Sequence, residues 1–126
     1  MENEKINILE EPQKPYNIRH RCFHFAKEVM TFVRDCKYQR IHFSIFDQLI
    51  RSATSVGANV VEGGSGSTKK DFINFLCIAL KSANETKYWL CLIRDTIEVN
   101  RGKLDELLKE ADEISKIIAA IILSAK

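Results

Sequence analysis

Apolar residues recur along this chain at steps of three and four, in four blocks separated by short polar or glycine-rich breaks. In the first block Ile18, Cys22, Phe25, Val29, Phe32 and Cys36 form one stripe, widened by Ala26 and Val33. That spacing predicts a helix that starts at Asn17, a good N-capping side chain, and ends around Lys37 to Tyr38. After a connector over 39–43, Ile45, Leu49, Val56 and Val60 mark a second helix, with small Ser52 and Ala53 between them. Ser44 and Asp47 give it a capping-box-like start. It is expected to run to about Glu62, where Gly63, Gly64 and Gly66 end it by relieving the penalty of left-handed backbone. Thr68 and Asp71 open a third, long helix. Its stripe, Phe72, Leu76, Ala79, Ala83, Thr86, Leu90, Ile93 and Ile97, meets no Gly or Pro from Lys69 to Val99, a length on the order of 45 Å. Asn100-Arg101-Gly102 reads as its stop. A fourth helix from Lys103 sets Leu104, Leu107, Leu108, Ala111 and Ile114 against Asp105, Glu106, Lys109, Glu110 and Glu113. No stretch alternates with a period of two long enough for a strand. The expected fold is an all-α, antiparallel up-and-down four-helix bundle over 17–126. Residues 1–16, broken by Pro12 and Pro15, are expected to form a poorly ordered arm, with Ile6, Ile8 and Leu9 available to dock on a neighbour.

Two features go beyond a lone bundle. Lys116 to Ser124 is apolar almost all round, whereas a four-helix bundle covers only about half of each helix, so a subunit interface is expected there. On the second helix a polar stripe, Gln48, Ser52, Ser55, Asn59 and Glu62, runs beside the apolar one. Such a stripe marks a face where neighbours approach and hydrogen-bond. Arg51 and Glu62 share a face but lie about 16 Å apart, so each is expected to find its partner on another helix or subunit. Register-fixing hydrogen bonds are the plain reading of these residues and a binding role is the alternative.

The 126 residues suit one domain with one core, and 45% apolar with 29% charged residues is ordinary for a soluble protein. The start, MENEKINILEEPQKP, lacks the basic end and apolar run of a signal peptide. The longest apolar run, Ile117 to Leu123, is too short to cross a bilayer. A cytoplasmic protein with no membrane association is expected. Cys22, Cys36, Cys77 and Cys91 are far apart, with no Cys-x-x-Cys pair. Cys22 and Cys36 lie in the apolar stripe and read as reduced, buried thiols.

Net charge is only +2, but it is unevenly spread. Residues 1–13 carry four acids and one base, residues 14–42 carry seven Lys or Arg and two acids, and the remainder balances. The excess sits on the first helix and the loop after it, where Arg19, Arg21, Lys27, Arg34, Lys37 and Arg40 are candidate phosphate contacts without base specificity. A solvated helix face is the plain alternative for one copy, and an oligomer would repeat the patch. Gly63 to Lys70 precedes a helix start, which invites a phosphate-loop reading. It lacks the Gly-Lys-Ser/Thr order and follows a helix, so a helix-hairpin loop is the plainer reading, with Lys69 and Lys70 as further candidate RNA contacts. His20 and His24 stand one turn apart without a third ligand, so no metal is expected. No Ser/His/Asp, Cys/His or paired-carboxylate arrangement can be argued, so no catalytic residue and no cofactor are expected.

The run from Gln48 to Gly63, QLIRSATSVGANVVEG, resembles the signature of the four-helix-bundle family, some of whose members are encoded within intervening sequences of bacterial 23S ribosomal RNA genes. Gln48, Arg51, Ser55, Asn59, Glu62 and Gly63 are its motif positions here. The likeness continues through Asp71 to Leu76 and Ala79 to Glu85, and more loosely through Glu110 to Lys116. The resemblance implies a soluble bundle assembled as a ring, commonly a pentamer. It also implies relatedness to accessory variability proteins of diversity-generating retroelements, which bind nucleic acid and a reverse transcriptase. It supplies no catalytic residues. The expected function is a non-enzymatic homo-oligomer that binds RNA or DNA through a basic face; the alternative is a scaffold whose ring docks a partner protein.

Overall fold

A computed structural model describes residues 17–65 and 68–126. The described chain forms α1 (Ile18–Asp35), α2 (Phe43–Gly64), α3 (Lys69–Thr96) and α4 (Arg101–Ala125). A 3-10 turn, Arg40–His42, leads into α2. The expected arm over 1–16 and Gly66 of the glycine loop lie outside the described residues. Each helix packs on the next in sequence and α4 closes back on α1, with no diagonal pair among the described residues. Four helices joined this way by short links make the up-and-down antiparallel bundle. No described helix is long and apolar enough to cross a membrane.

The apolar stripes become the interior. Cys22, Phe25, Val29, Phe32 and Val33 from α1 meet Phe46, Leu49, Ala53, Val56 and Val60 from α2. Leu76, Ala79, Ala83, Leu90 and Ile93 of α3 and Leu104, Leu107, Ala111, Ile114, Ile118 and Ile122 of α4 complete the cluster. The stripe ends Ile18, Cys36, Ile45, Phe72 and Ile97 are only partly covered, as the mouths of a bundle are. Cys36 is thus half-buried rather than fully buried, while Cys22 is fully buried; all four cysteines are free thiols.

Three helix starts are capped by side chains. Asn17 Oδ1 accepts from the backbone of Arg19 and His20, Thr68 Oγ1 from Asp71, and Asn100 Oδ1 from Lys103. Asn100 therefore starts α4 rather than stopping α3, which ends at Thr96 as Ile97 turns extended. The expected Ser44 cap does not form. The 3-10 turn runs straight into α2, so its first residue is Phe43 and no side chain caps it. α1 stops at Asp35, short of Tyr38, because the Tyr38 ring leaves the helix to stack on Phe46 at 4.0 Å and to meet Phe43 edge-on at 5.6 Å. No described glycine takes a positive φ, so Gly63 and Gly64 continue α2 instead of breaking it. Gly63 is needed for another reason: a Cβ there would stand 3.1 Å from Phe75 Cβ and 3.4 Å from the Phe72 carbonyl. It lets α2 and α3 approach closely.

The surplus apolar flank of α4 is only partly absorbed. Ile118 and Ile122 are buried within the chain, Ile117 and Ile121 are half-buried, and Leu123 is 72% exposed.

Candidate nucleic-acid interface

The polar stripe of α2 faces α3. Ser52 and Thr86 are buried with their hydroxyl oxygens 2.9 Å apart, and each also reaches a main-chain carbonyl of its own helix, Leu49 and Ser82 respectively. One turn further on, the Ser55 and Ser82 hydroxyls are 2.8 Å apart, and Asn59 Nδ2 donates to both Ser55 Oγ and the Ser55 carbonyl. These polar groups satisfy one another, so the seam is closed and offers nothing to a ligand. Gln48 and Glu62, at the ends of the stripe, are exposed. Arg51 does not reach another helix: its Nε donates to Asp47 Oδ2 at 2.9 Å, one turn back on the same exposed face. The i,i+4 carboxylate lies within reach on the same helix and takes the guanidinium.

Ion pairs tie the other helices together. Arg21 sends Nε and Nη2 to the two oxygens of Glu110 at 2.8 and 2.7 Å, and Nη2 also reaches Glu113 at 2.9 Å. This fork joins α1 to α4, and the hydrogen bond to Glu110 holds the Arg21 guanidinium well above its usual basicity. Arg21 sits at the edge of the basic face, turned toward α4, and is removed from the candidate phosphate contacts. Lys103 Nζ bonds Glu28 at 2.9 Å, which lowers the Glu28 carboxyl and raises the Lys103 ammonium from their ordinary values. Asp112 is lowered by Lys116 and by Lys87, which also donates to Ser115 at 3.1 Å.

What remains is the outward side of α1. At 100° per residue, Arg19, Phe23, Lys27, Met30 and Arg34 fall within an arc of about 80°. Lys27 lies over the Phe23 ring at 5.3 Å from its centroid. Arg34 pairs with its exposed neighbour Asp35 at 3.1 Å, a weak tie in water. Lys37 and Arg40 lie past the helix end and are exposed, but Lys37 lines the cleft with Glu28 and Asp35, on the other side of α1 from this arc. Arg19 reaches across to the end of α2, its guanidinium against Gly64, where helix carbonyls leave partial negative charge. Lys69 and Lys70 are exposed at the start of α3, at the same end of the bundle as Arg19. The structure therefore brings Arg19, Lys27 and Arg34 onto one side of α1, leaves Lys69 and Lys70 at its end and Lys37 and Arg40 beyond the helix, and ties Arg21 to α4.

Exposed Phe23 and Met30 among these cations escaped the charge-based reading. Their signal is present in the sequence: both lie outside the heptad seam while being large and apolar. A cleft of ≈ 640 Å³ lies elsewhere, between α1 and the α3–α4 link, with Glu28, Asp35 and Glu98 facing Lys37, Lys103 and Cys36. Burial and then Asp35 push the Cys36 thiol up, and burial pushes Cys22 to about 12, the reverse of what a thiolate nucleophile needs. His24 faces Glu28 at 3.4 Å. Among the described residues no three of His, Cys, Asp or Glu come together as metal ligands.

The bundle has solved counterparts. A crystal structure of a protein of unknown function from the S23 ribosomal protein family of Bacteroides thetaiotaomicron superposes with a TM-score of 0.77 at 34% identity, covering 83% of this chain and 97% of that one. No curated protein matches. Residues 14–120 match the family described as 23S rRNA-intervening sequence protein. Since that match takes in all of α1 to α3 and most of α4, the chain belongs to the 23S rRNA-intervening sequence protein family.

Proposed function

We propose that this protein is a non-enzymatic, homo-oligomeric module that binds nucleic acid, RNA foremost, through the outward side of α1. The observation that carries this reading is the row Arg19, Lys27 and Arg34 on one face of α1, with Phe23 and Met30 set between them and the exposed cations Lys37 and Arg40 just beyond the helix. Cations on one line match the repeating charge of a phosphate backbone, and exposed apolar rings give bases a surface to stack on. Direct contacts of this kind position a strand without reading its sequence. Association of copies, supported by the uncovered Leu123 flank of α4, would repeat the row around the assembly. By family resemblance that assembly is a pentamer.

The test is binding of fluorescently labelled single-stranded RNA to the purified protein at rising salt. At ~0.7 counterions released per phosphate on single strands, five contacts give a log–log slope of about −3.5, a loss of about a hundredfold between 50 and 200 mM salt. No binding at 50 mM, or affinity unchanged at 200 mM, overturns the reading. Light scattering checks the assembly: a mass several times the 14.5 kDa chain is expected, and a single-chain mass contradicts it.

A further inference from the structure

A groove of ≈ 380 Å³ runs along the outer side of the α1–α2 contact. Phe23, Ala26 and Met30 of α1 and Gly57, Ala58 and Val61 of α2 form its walls. Its floor is open because Gly57 has no side chain; a Cβ there would stand 3.2 Å from Cys22 Cβ. Phe23 and Met30 are 39% and 53% exposed, so the groove presents apolar surface to water. Arg19 and Lys27 stand on its rim, eight residues apart, roughly 12 Å along the helix axis. An occupant matched to this shape has a short apolar run about as long as that spacing, with negative charge at both ends.

The chain carries such a run ahead of the described residues. In Glu2-Asn3-Glu4-Lys5-Ile6-Asn7-Ile8-Leu9-Glu10-Glu11, Ile6, Ile8 and Leu9 are followed by two carboxylates and preceded by Glu2 and Glu4, whose charge exceeds that of the intervening Lys5 by one. Ile6 to Leu9 span roughly 13 Å when extended. The place where the arm joins the bundle also fits. The described chain begins at Asn17, two residues before Arg19 at the near end of the groove. The segment 12–16 between Glu11 and Asn17 can reach up to about 16 Å, enough to reverse direction. The family match starts at residue 14, so the acidic and apolar run lies outside it.

We propose that Ile6 to Leu9 of the same chain seats in this groove antiparallel to α1, with Glu10 and Glu11 toward Arg19 and Glu2 and Glu4 toward Lys27. The docked arm and a nucleic-acid strand would occupy the same surface, Phe23, Met30, Arg19 and Lys27, so a strand that engages the whole row displaces the arm. That consequence rests on the nucleic-acid reading; the docking itself does not.

The test is methyl NMR on the full-length protein, with isotope-filtered mixtures of labelled and unlabelled copies. Cross-peaks are expected from the Ile6, Ile8 and Leu9 methyls to those of Met30 and Ala58, arising within one chain. Ala58→Glu, a change at an exposed position, should abolish them by placing a like charge among the arm's carboxylates, while core methyl shifts stay put. The inference is overturned if the arm methyls of the wild type sit at random-coil shifts without these cross-peaks. Cross-peaks arising only between copies, or surviving Ala58→Glu, overturn it equally. RNA plays no part in this experiment, so failure of the nucleic-acid reading would leave the cross-peaks in place, and their absence would not touch RNA binding by the row.

Discussion

The α2–α3 seam and the outward side of α1 are made of opposite materials. The seam is built from small residues and hydroxyls: Gly63 lets the helices close, and Ser52 with Thr86 and Ser55 with Ser82 bond across them. The α1 side is built from long cations and large apolar side chains left in water, with Lys27 over Phe23 and Met30 uncovered. The seam also carries most of the motif by which the family is recognised, from Gln48 to Gly63. The contrast teaches that the most recognisable stretch of this chain holds the fold together, and that candidate binding chemistry has to be sought on another helix.

The comparison is broken most severely by filling the seam. Ser52→Leu forces extra volume into a closed contact and leaves Thr86 facing a methyl group; a loss of about 3 kcal/mol is expected in urea unfolding. Met30→Gln on the α1 side should stay within about 0.5 kcal/mol of wild type in the same measurement. Next comes the double charge reversal Lys27→Glu with Arg34→Glu. RNA affinity at 50 mM salt should fall at least tenfold, about 1.4 kcal/mol or more, and the salt slope should shrink by about 1.4, with unfolding midpoints little changed. Arg21→Ala separates structural from binding cations. The Arg21 fork to Glu110 and Glu113 is partly solvated, so stability should fall by about 1 kcal/mol while RNA affinity and its salt slope hold.

The smallest effect concerns acid. Lys103 holds the Glu28 carboxyl below its unfolded value of 4.5, and Lys116 with Lys87 hold Asp112 below 3.8. A lowered folded-state pKa means the contribution is present above those unfolded values and is lost as pH falls through the folded ones. Stability should therefore hold near neutrality and decline from about pH 4 downward, and Glu28→Gln should flatten that acid limb in pH-dependent thermal unfolding.

Much of this architecture was legible from periodicity because burial follows the heptad stripe directly. The stripe read on α3 from Leu76 to Ile93 is the buried set, and Asn17 and Thr68 cap the helices assigned to them. The misreadings share a cause: one residue type serves two purposes that only geometry separates. Asn100 suits a helix stop and a helix start alike, and the 3-10 turn before Phe43 decided against Ser44. Gly63 is read from sequence as a helix end, yet it marks a close approach. Arg21 was the hardest case. A count of cations along α1 cannot tell that rotation of α4 brings Glu110 and Glu113 under that one guanidinium. Exposure of Phe23 and Met30 was readable in principle, because both fall off the seam, but charge alone drew attention to the face.

The measurement that tests the account most directly sets the two regions side by side in one RNA-binding assay at 50 mM salt. Lys27→Glu with Arg34→Glu should lose at least tenfold in affinity, while Thr86→Val, which costs about 1 kcal/mol of stability by removing a seam hydroxyl, should bind as the wild type does. Undiminished binding by the charge-reversed protein, or a comparable loss in folded Thr86→Val, would contradict the placement of nucleic-acid contacts on α1.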